Sequence, residues 1–217
     1  MAKIVIQLLQ DCLNDAIPCS SLLLKAYTIA MKLGMKDTAG IFSHELNGYK
    51  DVDKKLLPEY RHILVNLETF EPYERKWIPV IFPPNTQFNK HAVTESVAEI
   101  EKIEQSNCDT IEQRLNTKAQ EIIQNVTNMQ EPMLVHQIYS AASMTSILPK
   151  VRKAILDWSL ALESEGILGE NLEFTTEERE IAKEAPSVQI NINGIVFGSN
   201  VSGILNDSIS KAQSLGK

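Results

Sequence analysis

Ile147-Leu-Pro-Lys-Val-Arg-Lys-Ala-Ile-Leu-Asp-Trp-Ser-Leu-Ala-Leu162 carries its apolar side chains at Ile147, Leu148, Val151, Ala154, Ile155, Trp158, Ala161 and Leu162. Intervals of three and four residues put them on one face of an α-helix, so residues 145–165 are predicted as the longest helix of the chain, with Gly166 as its stop. A stripe built from Trp158, Ile155 and Leu162 is core rather than a cofactor box. The fold is therefore expected to be predominantly helical.

Working outward toward the amino terminus, Ile4, Ile6, Leu8, Leu9, Cys12 and Leu13 predict a helix over 3–14 that ends near Asn14-Asp15, before Pro18 breaks the chain. Ser20 or Ser21 is expected to cap a second helix with the stripe Leu23, Ala26, Tyr27, Ala30 and Met31, closed by Gly34 in a left-handed conformation. Asp37 is expected to cap a third, carrying Ala39, Ile41, Phe42 and Leu46 and closing at Asn47-Gly48. Ile63, Val65 and Leu67 then alternate with polar neighbours, and Trp77 to Phe82 follows a Pro72 turn, which predicts two paired strands.

Val93, Val97, Ile100 and Ile103 mark an amphipathic helix whose acidic face, Glu95, Glu99, Glu101 and Glu104, reads as solvated. Helical pieces are expected at 109–114 and 117–127. Residues 132–141 read either as a third strand or as the start of the next helix. Thr175 or Thr176 with Glu178 resembles a capping box for a last helix running through Ala185. The expected class is α+β, with helices packed on a small antiparallel sheet, and residues 1–184 form the main domain.

From Ala185 to Asn206 no residue is charged. Val188-Gln-Ile-Asn-Ile192, Asn193-Gly194 and Ile195-Val-Phe197 give a hairpin pattern with a type I′ turn, followed by an amphipathic stretch at 203–215. Residues 185–217 are thus set apart as a β-prone segment. Alternating Ile, Val, Asn and Gln without charge also suits intermolecular β stacking, which makes Val188, Ile190, Ile192, Ile195, Phe197 and Val201 candidates for self-association. The competing reading is a hairpin that covers the edge of the domain's own sheet.

The chain of 217 residues is 43% hydrophobic and 23% charged, an ordinary globular composition, and its net charge of −7 argues against non-specific nucleic-acid or anionic-membrane binding. Its three cysteines, Cys12, Cys19 and Cys108, fit neither a disulfide framework nor a zinc site and read as buried or half-buried thiols of a cytoplasmic protein. The apolar stretch at the amino terminus is too short for an export signal, and no run is long enough for a membrane span. The four histidines, His44, His62, His91 and His136, lack the spacing that puts two ligands on one helical face. No phosphate loop or nucleophile elbow is present, so no metal, cofactor or catalytic residue is assigned.

The polar set that remains is Glu45, Asn47, Tyr49, Tyr60 and Arg61. A helix end and the segment Leu57-Pro-Glu-Tyr-Arg61 could join a carboxylate, phenols and a guanidinium, either as a buried Glu–Arg brace or as a binding or catalytic site. His44 and Glu45, adjacent on a helix, point about 100° apart and do not form an acid–base pair.

Ser43-His-Glu-Leu-Asn-Gly-Tyr49, Leu57-Pro-Glu-Tyr-Arg61, Ile155-Leu-Asp-Trp-Ser-Leu-Ala-Leu-Glu163 and Glu165-Gly-Ile-Leu-Gly-Glu-Asn-Leu-Glu-Phe174, in that order and spacing, resemble the AbiTii domain over residues 3–184. The resemblance implies a bacterial abortive-infection component, a toxin or effector module, and supplies no catalytic residues. The expected function is a non-enzymatic antiphage protein that self-associates, or docks a defence or phage partner, through its C-terminal segment. The alternative is a toxin enzyme acting on nucleic acid or nucleotides through Glu45, Tyr49 and Arg61.

Overall fold

The structure is a computed structural model that describes residues 3–83, 89–106, 108–127, 134–185, 188, 191–192 and 195–196. Three helices open the chain: α1 (Ile4–Cys12), α2 (Cys19–Leu33) and α3 (Lys36–Asn47). Two single 3-10 turns, Lys54–Leu56 and Glu59–Arg61, lead into β1 (His62–Leu64), β2 (Asn66–Glu71), β3 (Lys76–Pro79) and β4 (Lys90–Ala92). There follow α4 (Val97–Gln105), β5 (Thr110–Arg114), α5 (Thr117–Thr127), β6 (Val135–Ser140), α6 (Ala141–Thr145), α7 (Ile147–Ser164) and α8 (Thr176–Glu184).

The class is α+β, mostly helical, as the patterning predicts. α7 packs against α1 and α2, and α2 also touches α3, α4 and α8. The predicted stripe of α7 is buried almost throughout, with Ile147, Ile155 and Leu162 fully enclosed. Phe42 of α3 meets Trp158 of α7 edge-on, with ring centroids 5.1 Å apart. Arg152, on the flank of α7, donates to the carbonyls of Cys12, Asn14 and Ile17 and so ties down the chain end of α1.

Several boundaries differ from the sequence reading, each for a physical reason. Neither Ser20 nor Ser21 caps α2, because that helix already begins at Cys19, with Pro18 in the cap position. Glu101 of α4 takes over instead, accepting from the Ser20 amide at 3.0 Å and hydroxyl at 2.6 Å, a carboxylate placed at the positive end of the helix. The acidic face of α4 is therefore not merely solvated. Asp37 likewise lies inside the first turn of α3 rather than capping it.

The helix expected from Val93 begins at Val97, where Ser96 and Glu99 close a capping box, and Val93 itself lies just after β4, which ends at Ala92. The expected strand through Ile63, Val65 and Leu67 splits at Val65 between two sheets. β1 pairs with β4, while β2 belongs to an antiparallel sheet of order β3-β2-β6-β5. Residues 109–114 are not helical: Thr110–Arg114 pairs with β6 from Thr110↔Ser140 to Arg114↔His136. This edge strand holds one half-buried apolar residue, Ile111, too little to display a period of two. For 132–141 the strand reading is realised by β6, with α6 directly after it.

Leu67, Val80, Ile123 and Val135 form a small second core beneath α5. Cys12 and Cys19 are buried, which pushes their thiols up to about 11 and about 12, whereas Cys108 is exposed, contrary to its expected burial. Val188 is wholly buried in the main core. Backbone pairs Asn191↔Val196 and Ile192↔Ile195 are antiparallel. The remaining residues of the tail, including Ile190, Phe197, Val201 and the expected 203–215 stretch, lie outside the described residues. Among the described residues no helix is long and apolar enough to cross a membrane.

Candidate functional site

The last turn of α3 presents Glu45 to the interior, and Gly48 then turns the chain with φ +86°. A Cβ at position 48 would stand 2.7 Å from the Thr94 carbonyl oxygen, so only glycine lets the two backbones meet. The Tyr49 amide donates to that same carbonyl at 2.7 Å. This clamp aims the Tyr49 ring back at Glu45. From the other side, the 3-10 turn after Pro58 points both Tyr60 and Arg61 inward, and both are buried.

Oε1 of Glu45 accepts from the Tyr49 hydroxyl at 2.6 Å, the Tyr60 hydroxyl at 2.5 Å and Arg61 Nε at 3.3 Å. Oε2 accepts from Arg61 Nη2. Arg61 Nη1 donates to the main-chain carbonyl of Glu95 at 2.6 Å, and the guanidinium carbon lies 5.0 Å from the Tyr49 ring centre. Exposure within the set is 1% for Glu45, 0% for Arg61, 4% for Tyr49 and 3% for Tyr60.

Burial, followed by the negative charge of Glu45, holds both phenols well above the usual tyrosine range. At Arg61 burial pulls the guanidinium down, but the charge and hydrogen bonds of Glu45 outweigh it and the net direction is up. The set is thus a carboxylate and a guanidinium, each charged, with two neutral phenols. Three of these bonds fall on Oε1 and one on Oε2, so both oxygens of Glu45 are engaged within the cluster, and its burial closes it from a bound molecule.

Of the five residues predicted to gather, the structure brings together Glu45, Tyr49, Tyr60 and Arg61. Asn47 stays outside; it is exposed and its amide bonds back to the Ser43 carbonyl and hydroxyl within α3. His44 is exposed as well and stacks on the outer face of Tyr49 at 5.4 Å. The Glu95 carbonyl was not foreseeable, because a main-chain acceptor leaves no mark in side-chain chemistry.

Fold and site together define a helical α+β domain with an ion-pair cluster closed inside its core. The family model AbiTii matches residues 3–187, and the chain belongs to AbiTii, an abortive-infection family. No curated protein and no solved structure matches it.

Proposed function

We propose that the protein is a non-enzymatic component of antiphage defence acting in the cytoplasm, in which the domain senses or executes infection. Its C-terminal segment joins copies of the chain or docks a defence or phage partner. Family membership supports the defence role. The observation that carries the non-enzymatic reading is the closure of the Glu45 cluster, whose members are 0–4% exposed and fully engaged with one another. A toxin enzyme working through Glu45, Tyr49 and Arg61 would need these groups to meet nucleic acid or a nucleotide, and the packing denies them that contact. The cluster braces the helix-to-strand crossover instead.

Because Val188 is part of the core, the segment free to assemble begins after it. Light-scattering masses should therefore be compared for the whole chain and for a chain ending at Val188, alongside plaque counts in cells expressing each. The whole chain is expected to form the larger species and to reduce plaques; the shortened chain is expected to be monomeric and unprotective. Equal monomeric masses would sink the assembly part of the proposal.

A further inference from the structure

Between the β1–β4 pair and the far end of β5 lies a cleft of about 470 Å³, within the range of small-molecule sites. Its charged lining is wholly basic: Lys54, Lys55, Lys90 and Arg114, joined by His62 and His91, with no Asp or Glu among the lining residues. In a chain of net charge −7 this reverses the overall balance. Three separate stretches supply the cations, namely the Lys54–Leu56 turn, strand β4 and the end of β5. Two carboxylates lie nearby: Glu59, which engages Lys90 at 2.9 Å and remains 67% exposed, and Glu95, whose charge acts on His91.

The amino end of α5 also opens here. Asn116 lines the cleft and accepts from the Ala119 amide at 2.9 Å, so the positive end of an eleven-residue helix adds to the field. His62 approaches the Lys54 carbonyl through Nε2 at 3.1 Å, which makes Nε2 the protonated nitrogen. Its Nδ1 is buried without a hydrogen-bond partner, the Glu59 carboxylate being 3.9 Å away. On His91, Nδ1 receives the Gln137 amide at 3.0 Å, leaving Nε2–H as a donor. Cations from several elements, a helix amino end and the His91 donor are what a compact polyanion requires.

We infer that this cleft binds a small molecule bearing adjacent phosphate groups, a nucleoside polyphosphate or an inorganic polyphosphate. None of its lining residues belongs to the Glu45 cluster. Titration calorimetry on the whole chain with inorganic pyrophosphate, ATP and adenosine, at matched ionic strength, tests it. Pyrophosphate and ATP are expected to bind, and adenosine is not; tighter binding of ATP than of pyrophosphate identifies the nucleotide, and equal binding identifies the phosphate chain alone. Replacing Lys54→Gln together with Arg114→Gln should weaken binding by roughly tenfold or more, since two charge-assisted contacts are lost. Removing two charges on α7 instead, with Lys150→Gln and Lys153→Gln, should leave it unchanged. The inference is overturned if neither phosphate compound binds, if both variants bind alike, or if an RNA oligonucleotide binds while pyrophosphate and ATP do not.

Discussion

Arg61 is the largest side chain with no exposed surface among the described residues, and its charge is tolerable there only because Glu45 faces it. Cutting away one partner of such a pair leaves the other charge stranded, which costs about 3–5 kcal/mol. Arg61→Met and Glu45→Met are each expected to lose stability on that scale. The double variant should lose clearly less than the sum, because no bare charge remains, although the Tyr49 and Tyr60 hydroxyls then go without an acceptor. Urea unfolding of all four proteins, followed by tryptophan fluorescence, measures the coupling; strictly additive losses would show that the two do not act as a pair. The pairing was legible in the sequence because a carboxylate at a helix end and an arginine after a Pro turn are strong, specific chemistry. Asn47 was swept in by proximity alone, and on a helix a residue two positions from Glu45 faces elsewhere.

At the level of elements, legibility followed the strength of the local signal. α7 has a long stripe and is read correctly. The Thr175–Glu178 box of α8 is also found, and Thr175 is the cap. The same Ser/Thr-x-x-Glu spacing at Ser96–Glu99 was available but was obscured by Val93, whose burial comes from packing beside β1 rather than from a helical face. β5 could not be read at all, because its strand state is imposed by the ladder with β6. Two substitutions separate a true cap from an apparent one. Ser96→Ala removes the hydroxyl that holds the Glu99 amide and should cost about 1 kcal/mol, whereas Ser21→Ala, inside the first turn of α2, should change stability by less than about 0.5 kcal/mol. Guanidinium unfolding midpoints compare them directly, and equal losses would mean that the box at Ser96 contributes nothing of its own.

For the molecule as a whole, the Glu45 cluster is where the helical layer is fastened to the sheet region. Tyr49 follows α3, Tyr60 and Arg61 precede β1, and the Glu95 carbonyl precedes α4. This gives global stability a pH dependence with a fixed sign. Unfolded tyrosine loses its proton near pH 10, whereas the folded protein holds Tyr49 and Tyr60 protonated above that, through burial and the Glu45 charge. Above pH 10 the unfolded state therefore binds fewer protons than the folded one, and stability must fall as pH rises. The contribution is fully present below pH 10, and it fades above at up to about 1.4 kcal/mol per pH unit for each buried phenol until the folded tyrosines themselves titrate. Urea midpoints at pH 9, 10 and 11 should show little change over the first interval and a clear drop over the second. Tyr60→Phe, which removes one of the two protons, should start from a lower stability and show a shallower drop. A midpoint that holds steady from pH 10 to 11 would mean that the phenols ionise in place and that the cluster opens to water without unfolding the domain.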